Sequence, residues 1–275
     1  MLPTPSTSHI DVNCVYEPAE DSFLLLDTLS SRAEIAFLQQ RFNQRSNLQY
    51  QTASPLVFEI GTGSGIVLAF ITAHAQELFG RAHILTLGAD VNTFACAATV
   101  ETVRRACAEA VNGQITTASQ AVFLSSVQAD LGSAVRPHSV DVLVFNPPYV
   151  PSAEVPDLIR SETANRMSNL SSTNASKGRF EEDSHLLSLS YAGGKDGMEV
   201  TNRLLDQLPE LLSLDRGTAY ILLCKQNKPE QVMERVRLWG SSWAMNVVGR
   251  SGRTGGWEKL QVLRLWRVSH ELAGC

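Results

Sequence analysis

No two cysteines of this chain stand at CxxC spacing, and no histidine-rich stretch accompanies any of the five, Cys14, Cys96, Cys107, Cys224 and Cys275. That pattern indicates neither a structural zinc site nor a disulfide framework. The chain also lacks an apolar run near the roughly 20 residues that a membrane-spanning helix needs, and it lacks a secretory signal pattern. The expected location is therefore cytosolic, with the nucleus as a second one, and no membrane partner is expected. Asn169 and Asn174 match the N-glycosylation pattern but carry no weight without a signal. A Gly-Lys-Ser/Thr phosphate loop is missing, which argues against a nucleoside triphosphate ligand. Clustered basic residues are missing too. With 23 Lys and Arg against 28 Asp and Glu, the net charge is −5, and Arg104-Arg105 and the Arg235, Arg237 pair read as solvated helix faces. A chain built to grip a phosphate backbone usually carries a basic face. Arg250, Arg253 and Lys259 are the residues that could still gather near a cleft.

What is present begins with size. The chain has 275 residues, 44% of them hydrophobic, enough for one α/β domain with a sizeable core and leaving little room for a second. The most informative string is Asn146-Pro147-Pro148-Tyr149, which directly follows the apolar run Val140, Val142, Leu143, Val144, Phe145. A strand ending in a rigid loop is the expected shape. An amide or exocyclic amine nitrogen is a poor nucleophile because its lone pair is delocalised, so an enzyme that alkylates it must hold the NH2 group by hydrogen bonds. The Asn146 side-chain oxygen can accept one such bond and the Pro147 carbonyl the other. The two prolines fix their own φ angles and bias Asn146 toward an extended conformation. Tyr149 offers a flat face to a planar target. A Pro-Pro turn after a core strand would read the same way in isolation.

Upstream, Leu56-Val57-Phe58-Glu59-Ile60 is a buried-strand pattern running into Gly61-Thr62-Gly63-Ser64-Gly65, and Ile66 to Phe79 then follows helical spacing. In such a unit the glycines Gly61, Gly63 and Gly65 let the backbone approach a ligand, and free helical N–H groups face it. Glu59 beside the loop would repel a pyrophosphate and suits an amine-bearing or cationic ligand such as S-adenosylmethionine. A second strand pattern, His83 to Asp90, ends in an acid where α/β nucleotide sites place a carboxylate on ribose hydroxyls. Asp90 could also cap the helix expected over 93–110, a role open to Asn92 as well. A third strand, Ala121 to Val127, leads to Asp130 and Leu131 at the adenine end of the same ligand; a plain loop acid is the other reading of Asp130.

These strings, with Tyr16-Glu17-Pro18-Ala19-Glu20-Asp21-Ser22, Ala192-Gly193-Gly194-Lys195-Asp196-Gly197 and Glu258-Lys259-Leu260-Gln261-Val262-Leu263, resemble the HemK family of class I S-adenosylmethionine-dependent methyltransferases. The similarity is to its eukaryotic branch, which methylates the glutamine of the Gly-Gly-Gln motif in class 1 peptide release factors. The Asn-Pro-Pro-Tyr string is shared with adenine-DNA and RNA-guanine enzymes, so it speaks to chemistry more than to substrate. The resemblance implies a doubly wound, Rossmann-like, mostly parallel sheet of seven strands with a terminal antiparallel hairpin and the third strand at an edge. It also implies that Ser22 lies near the methionine end of the cofactor and Tyr16 beside the target, although Glu20, Asp21 and Ser22 alone would serve as the acidic first turn and cap of a helix over 23–29. It implies, further, a small zinc-binding activator protein paired with the edge strand at Val122, Phe123 and Leu124, forming a heterodimer. Where a Pro often follows Asn in the family, this chain has Val91-Asn92-Thr93-Phe94. Residues 152–190 are longer than the corresponding family loop, and their Ser/Asn-rich stretch is expected to be a loose insertion, or else a lid over the site. Protein-lysine methylation, adenine methylation of DNA and a non-catalytic cofactor-binding scaffold are the competing functions.

Overall fold

A computed structural model describes residues 2–42, 53–112, 121–157, 175–252 and 259–268. Seven strands form one sheet, β1 (Leu56–Ile60), β2 (Leu85–Asp90), β3 (Val122–Gln128), β4 (Val142–Phe145), β5 (Thr218–Cys224), β6 (Trp243–Arg250) and β7 (Leu260–Arg267). Their spatial order is β3-β2-β1-β4-β5-β7-β6, with β1 to β5 parallel and β7 antiparallel to both β5 and β6. The seven-stranded, mostly parallel sheet with its antiparallel end hairpin is the architecture expected from the sequence.

The helices are α1 (Glu20–Leu29), α2 (Arg32–Phe42), α3 (Ile66–Ala73), α4 (Ala75–Phe79), α5 (Thr93–Asn112), α6 (Ala175–Tyr191), α7 (Glu199–Leu211) and α8 (Pro229–Arg237). They cover both sheet faces, and the alternation along β1 shows why. Val57 faces the layer containing Leu25 and Leu29 of α1, Phe42 of α2 and Phe70 of α3. Phe58 and Ile60 face Leu204 and Leu208 of α7 and Val232 of α8. Side chains alternate between faces with period two, and a parallel sheet covered on both sides must be apolar throughout.

The helix expected over 66–79 is broken at His74, which ends α3 and precedes α4. The His74 imidazole Nε2 sits 2.9 Å from the Pro3 carbonyl and its ring packs edge-on to Phe70, tying the N-terminal segment to the break. Within the stretch 152–190, expected to be a loose insertion, Ala175–Tyr191 forms helix α6. The Ser/Asn-rich composition ends before Leu186-Leu187-Ser188-Leu189, and Leu186 and Leu189 pack on Cys14 and Val15. Residues 158–174 lie outside the described ones.

The edge position of β3 is as expected, but its side chains divide differently. Val122 and Leu124 are each 51% exposed, whereas Phe123 turns inward onto Ala69, Val103 and Ala106 between α3 and α5. Strand alternation puts neighbours on opposite faces, so Phe123 is partly buried against the helices while Val122 and Leu124 are exposed.

A buried polar cluster joins the hairpin to the N-terminal helices. Glu34 of α2 accepts two hydrogen bonds from Arg264 of β7, at 2.8 and 2.7 Å, and one from the Tyr220 hydroxyl of β5 at 2.9 Å. The Arg264 guanidinium lies 3.6 Å from the Phe37 ring centroid and 4.6 Å from that of Trp266. Removing one partner from a buried ion pair strands the other charge, at a cost of roughly 3–5 kcal/mol. Glu34→Leu is therefore expected to lower the urea unfolding midpoint by that equivalent, and Glu34→Leu combined with Arg264→Leu to recover part of the loss. A single variant as stable as the parent would show the pair to be dispensable.

Candidate active site

Sheet register brings the site together. Ile60 of β1 pairs with Ala89 of β2 and with Phe145 of β4, so the residues that follow them, Gly61, Asp90 and Asn146, leave three adjacent strands at one level. Open α/β sheets bind ligands at this carboxyl edge.

Gly61, Gly63 and Gly65 adopt φ of 65°, 51° and 78°, a left-handed conformation in which side chains are strained. At Gly65 a Cβ would lie 2.5 Å from the Cα of Thr99, so α5 can approach the loop only because this residue is glycine. Thr99 donates to the Thr62 hydroxyl at 2.8 Å, and Thr102 donates to the Ser64 carbonyl at 2.6 Å. These two threonines, one helical turn apart, clamp the loop.

Asp90 is buried. Its Oδ2 accepts the Gly63 N–H at 2.9 Å and its Oδ1 accepts the Asn92 N–H at 2.9 Å. Burial pushes its carboxyl above the ordinary range, and these N–H donors draw it back down. Asn92 takes the capping role, its Oδ1 accepting the Phe94 N–H at 2.9 Å while its Nδ2 donates to the Cys14 carbonyl at 2.7 Å. Asp90 is thus spared for the cleft, which it lines.

That cleft spans about 890 Å³, including space open to solvent. Of the residues expected at the site, it is lined by Tyr16, Gly61, Gly63, Asp90, Asp130, Leu131, Asn146 and Pro148. The Oδ1 of Asn146 is buried and has no hydrogen-bond partner. A buried acceptor without a donor costs on the order of 1–3 kcal/mol.

Ser22, Glu59, Gly65, Pro147 and Tyr149 stand behind this wall. Ser22 Oγ donates to Asp21 Oδ1 at 3.1 Å, and Tyr16 donates to Asp21 Oδ2 at 3.2 Å, so Asp21 links the two. Pro147 is buried, and Tyr149 packs against the core layer of α1 to α4. The Glu59 carboxylate accepts the Leu68 N–H in the first turn of α3, and its Oε2 is buried without a partner. Glu59 therefore satisfies one of the orphan donors of the helix start. Asp130 lines the cleft as expected and is ion-paired with Arg203 of α7.

Sequence reasoning missed Arg203 and Val200 of α7, Leu186, Leu189 and Ser190 of α6, and Cys14, all of which line the cleft. The Leu186-Leu187-x-Leu189 run was the one local signal available for α6. Among the described residues no cluster of metal-ligating side chains occurs.

The donor set fits S-adenosylmethionine. Asp90 stands at the strand end that engages a ribose, the glycine loop offers backbone groups at close approach, and the apolar wall of Ile60, Leu131 and Phe145 suits an adenine ring. Fold and site together define a class I S-adenosylmethionine-dependent methyltransferase. No family model matches the chain. It is 32% identical over 272 residues to methyltransferase HEMK2 of Mus musculus, covering 96% of each chain. It is 30% identical over 277 residues to the eRF1 methyltransferase catalytic subunit mtq2 of Schizosaccharomyces pombe, covering 99% of each, and 24% identical over 255 residues to a putative protein N5-glutamine methyltransferase of Methanocaldococcus jannaschii, covering 92% of each. The chain belongs to the eukaryotic HemK family of methyltransferases, alongside HEMK2 and mtq2.

Burial holds the Glu59 carboxyl well above the ordinary glutamate value. A carboxyl raised in the folded state leaves stability intact below the unfolded value, about pH 4, and stability is lost as pH rises through the folded value. In cofactor-free protein, Glu59→Gln is expected to melt with the parent near pH ~4 and above it near pH ~8. A gap of equal size at both pH values would remove ionisation of Glu59 as its cause.

Proposed function

We propose that this methyltransferase transfers the methyl group to the side-chain amide nitrogen of a glutamine in the Gly-Gly-Gln motif of a class 1 release factor. The observation that carries this reading is the buried, unpartnered Oδ1 of Asn146, a residue that lines the cleft. A carboxamide NH2 matches an acceptor that is neutral and fixed. The names of the fission-yeast relative, an eRF1 methyltransferase, and of the archaeal one, a protein N5-glutamine methyltransferase, support glutamine over lysine or adenine.

S-adenosylmethionine, when bound, would supply an electrophilic methyl on its sulfonium, the S–C bond breaking as the N–C bond forms, with the nitrogen's proton passing to solvent. The protein's part is placement. Asn146 Oδ1 accepts one N–H of the target and the Pro147 carbonyl accepts the other, which turns the nitrogen lone pair toward the methyl. Asp90 and the loop Gly61 to Gly65 would hold the cofactor's nucleoside. Tyr16 lines the same cleft. No strong general base is needed, because the alkylated amide nitrogen is far more acidic than the neutral amide.

The test is transfer of labelled methyl to a release factor carrying Gly-Gly-Gln and to its Gln→Ala variant, with label expected on the first alone. Asn146→Ala is expected to abolish transfer while S-adenosylmethionine affinity, measured by calorimetry, stays within a few-fold. Normal turnover by that variant would remove Asn146 from its role.

The same reading includes a small zinc-binding activator seated on the free edge of β3 and a cytosolic, and also nuclear, location. Exposed Val122 and Leu124 support the edge contact. Leu124→Asp is expected to abolish co-purification of the activator and leave the fold intact, whereas Phe123→Asp, set against Ala69, Val103 and Ala106, is expected to lower the melting temperature as well. Undiminished pairing of Leu124→Asp would place the partner elsewhere.

A further inference from the structure

Asn227 lies outside every motif that marked the site, yet it holds the catalytic loop. It is 1% exposed and ends the 3-10 turn Lys225–Asn227 that follows β5. Its Oδ1 accepts the Cys224 N–H at 2.8 Å. Its Nδ2 donates to the Tyr149 carbonyl at 3.0 Å and to the Asp196 carbonyl at 3.0 Å, with the Gly197 carbonyl at 3.3 Å. One buried carboxamide therefore ties the end of β5 to the loop that leaves β4 and to the loop over 193–197.

The neighbouring loop completes the grip. A Cβ at Gly197 would lie 2.0 Å from the Tyr149 carbonyl oxygen, and one at Gly193 would lie 2.2 Å from that of Pro148. The Val150 N–H donates to the Tyr191 carbonyl at 2.9 Å, and the Gly193 N–H donates to the Val150 carbonyl at 2.9 Å. The carbonyls of Pro148, Tyr149 and Val150 all face residues 191–197, so the stretch immediately after Asn146 and Pro147 is anchored peptide by peptide. The glycines leave room for the contact, and Asn227 is the side chain that fastens it to the sheet.

We propose that Asn227 is a positioning residue for methyl transfer, setting where the two acceptors of the Asn146-Pro147 clamp point; this rests on the role given to that clamp above. A shift of about 1 Å in such a clamp lowers turnover on the order of 100-fold. Oδ1 is the group that Asn227→Asp retains, while the N–H donors are lost and a carboxylate is set against the Tyr149 carbonyl. Asn227→Ala removes both.

The experiment measures kcat, KM for the acceptor and Kd for S-adenosylmethionine for the parent and for both variants. It uses whichever acceptor the parent labels, so that a parent labelling lysine alone would count against the glutamine reading and leave this comparison intact. The expected result is kcat lower by about 100-fold in both variants, with Kd for S-adenosylmethionine within twofold. For Asn227→Asp, kcat should also recover partly as pH falls and the carboxyl regains a donor, a pH profile that the parent lacks. Two results would overturn the proposal. One is kcat within threefold of the parent. The other is loss of cofactor binding in step with activity in both variants, which would make Asn227 a residue of general stability.

Discussion

The lateral register of β1 against β2 and β4 is the constraint on which the site depends. Pairing Ile60 with both Ala89 and Phe145 sets Gly61, Asp90 and Asn146 side by side, so the glycine loop, the buried acid and the Asn-Pro-Pro-Tyr loop come from three neighbouring strand ends. A one-residue slip would exchange the two faces of β1, sending Phe58 and Ile60 into the layer of α1 to α4 and Val57 into that of α7 and α8. Both hydrophobic layers therefore oppose any slip, and the geometry of the site is maintained by packing that lies outside it.

On that base the chain adds fasteners made mostly of small or neutral groups. Thr99 and Thr102 hold the glycine loop from α5, Asp90 holds it from β2 through the Gly63 N–H, and Asn227 holds the Asn146 loop from the end of β5. Alkylation of an amide needs placement more than acid-base strength, and neutral fasteners suit it because none has to change protonation during the reaction. Apart from Asp90, the buried ionisable groups serve structure instead. Glu34 and Arg264 neutralise each other between α2 and β7, and Glu59 satisfies a backbone donor at the start of α3.

How much of this was legible in the sequence varied with the range of the interaction. The strands before Gly61, after His83 and before Asn146 were readable because each is an apolar run punctuated by glycine, acid or proline within a few residues. The glycines were legible because their positive φ is a local demand. Less legible were orientations and distant partners. Strand alternation around Phe123 could not be assigned to a face until α5 was in place, and the Ser/Asn-rich composition before Ala175 hid helix α6 behind it. Arg203 and Asn227 carried no motif at all.

Taken alone, the sequence determined the order of elements, the strand-loop-helix unit from Leu56 onward, and the identity of the chemical groups at the strand ends, because periodicity, glycine and proline act over a few residues. Tertiary structure decided which of those groups share a cleft, which turn away, and what holds them. Asn227 meets Tyr149 across 78 positions and Arg264 meets Glu34 across 230. Contacts of that span arise only from sheet order and helix packing, which no local pattern encodes.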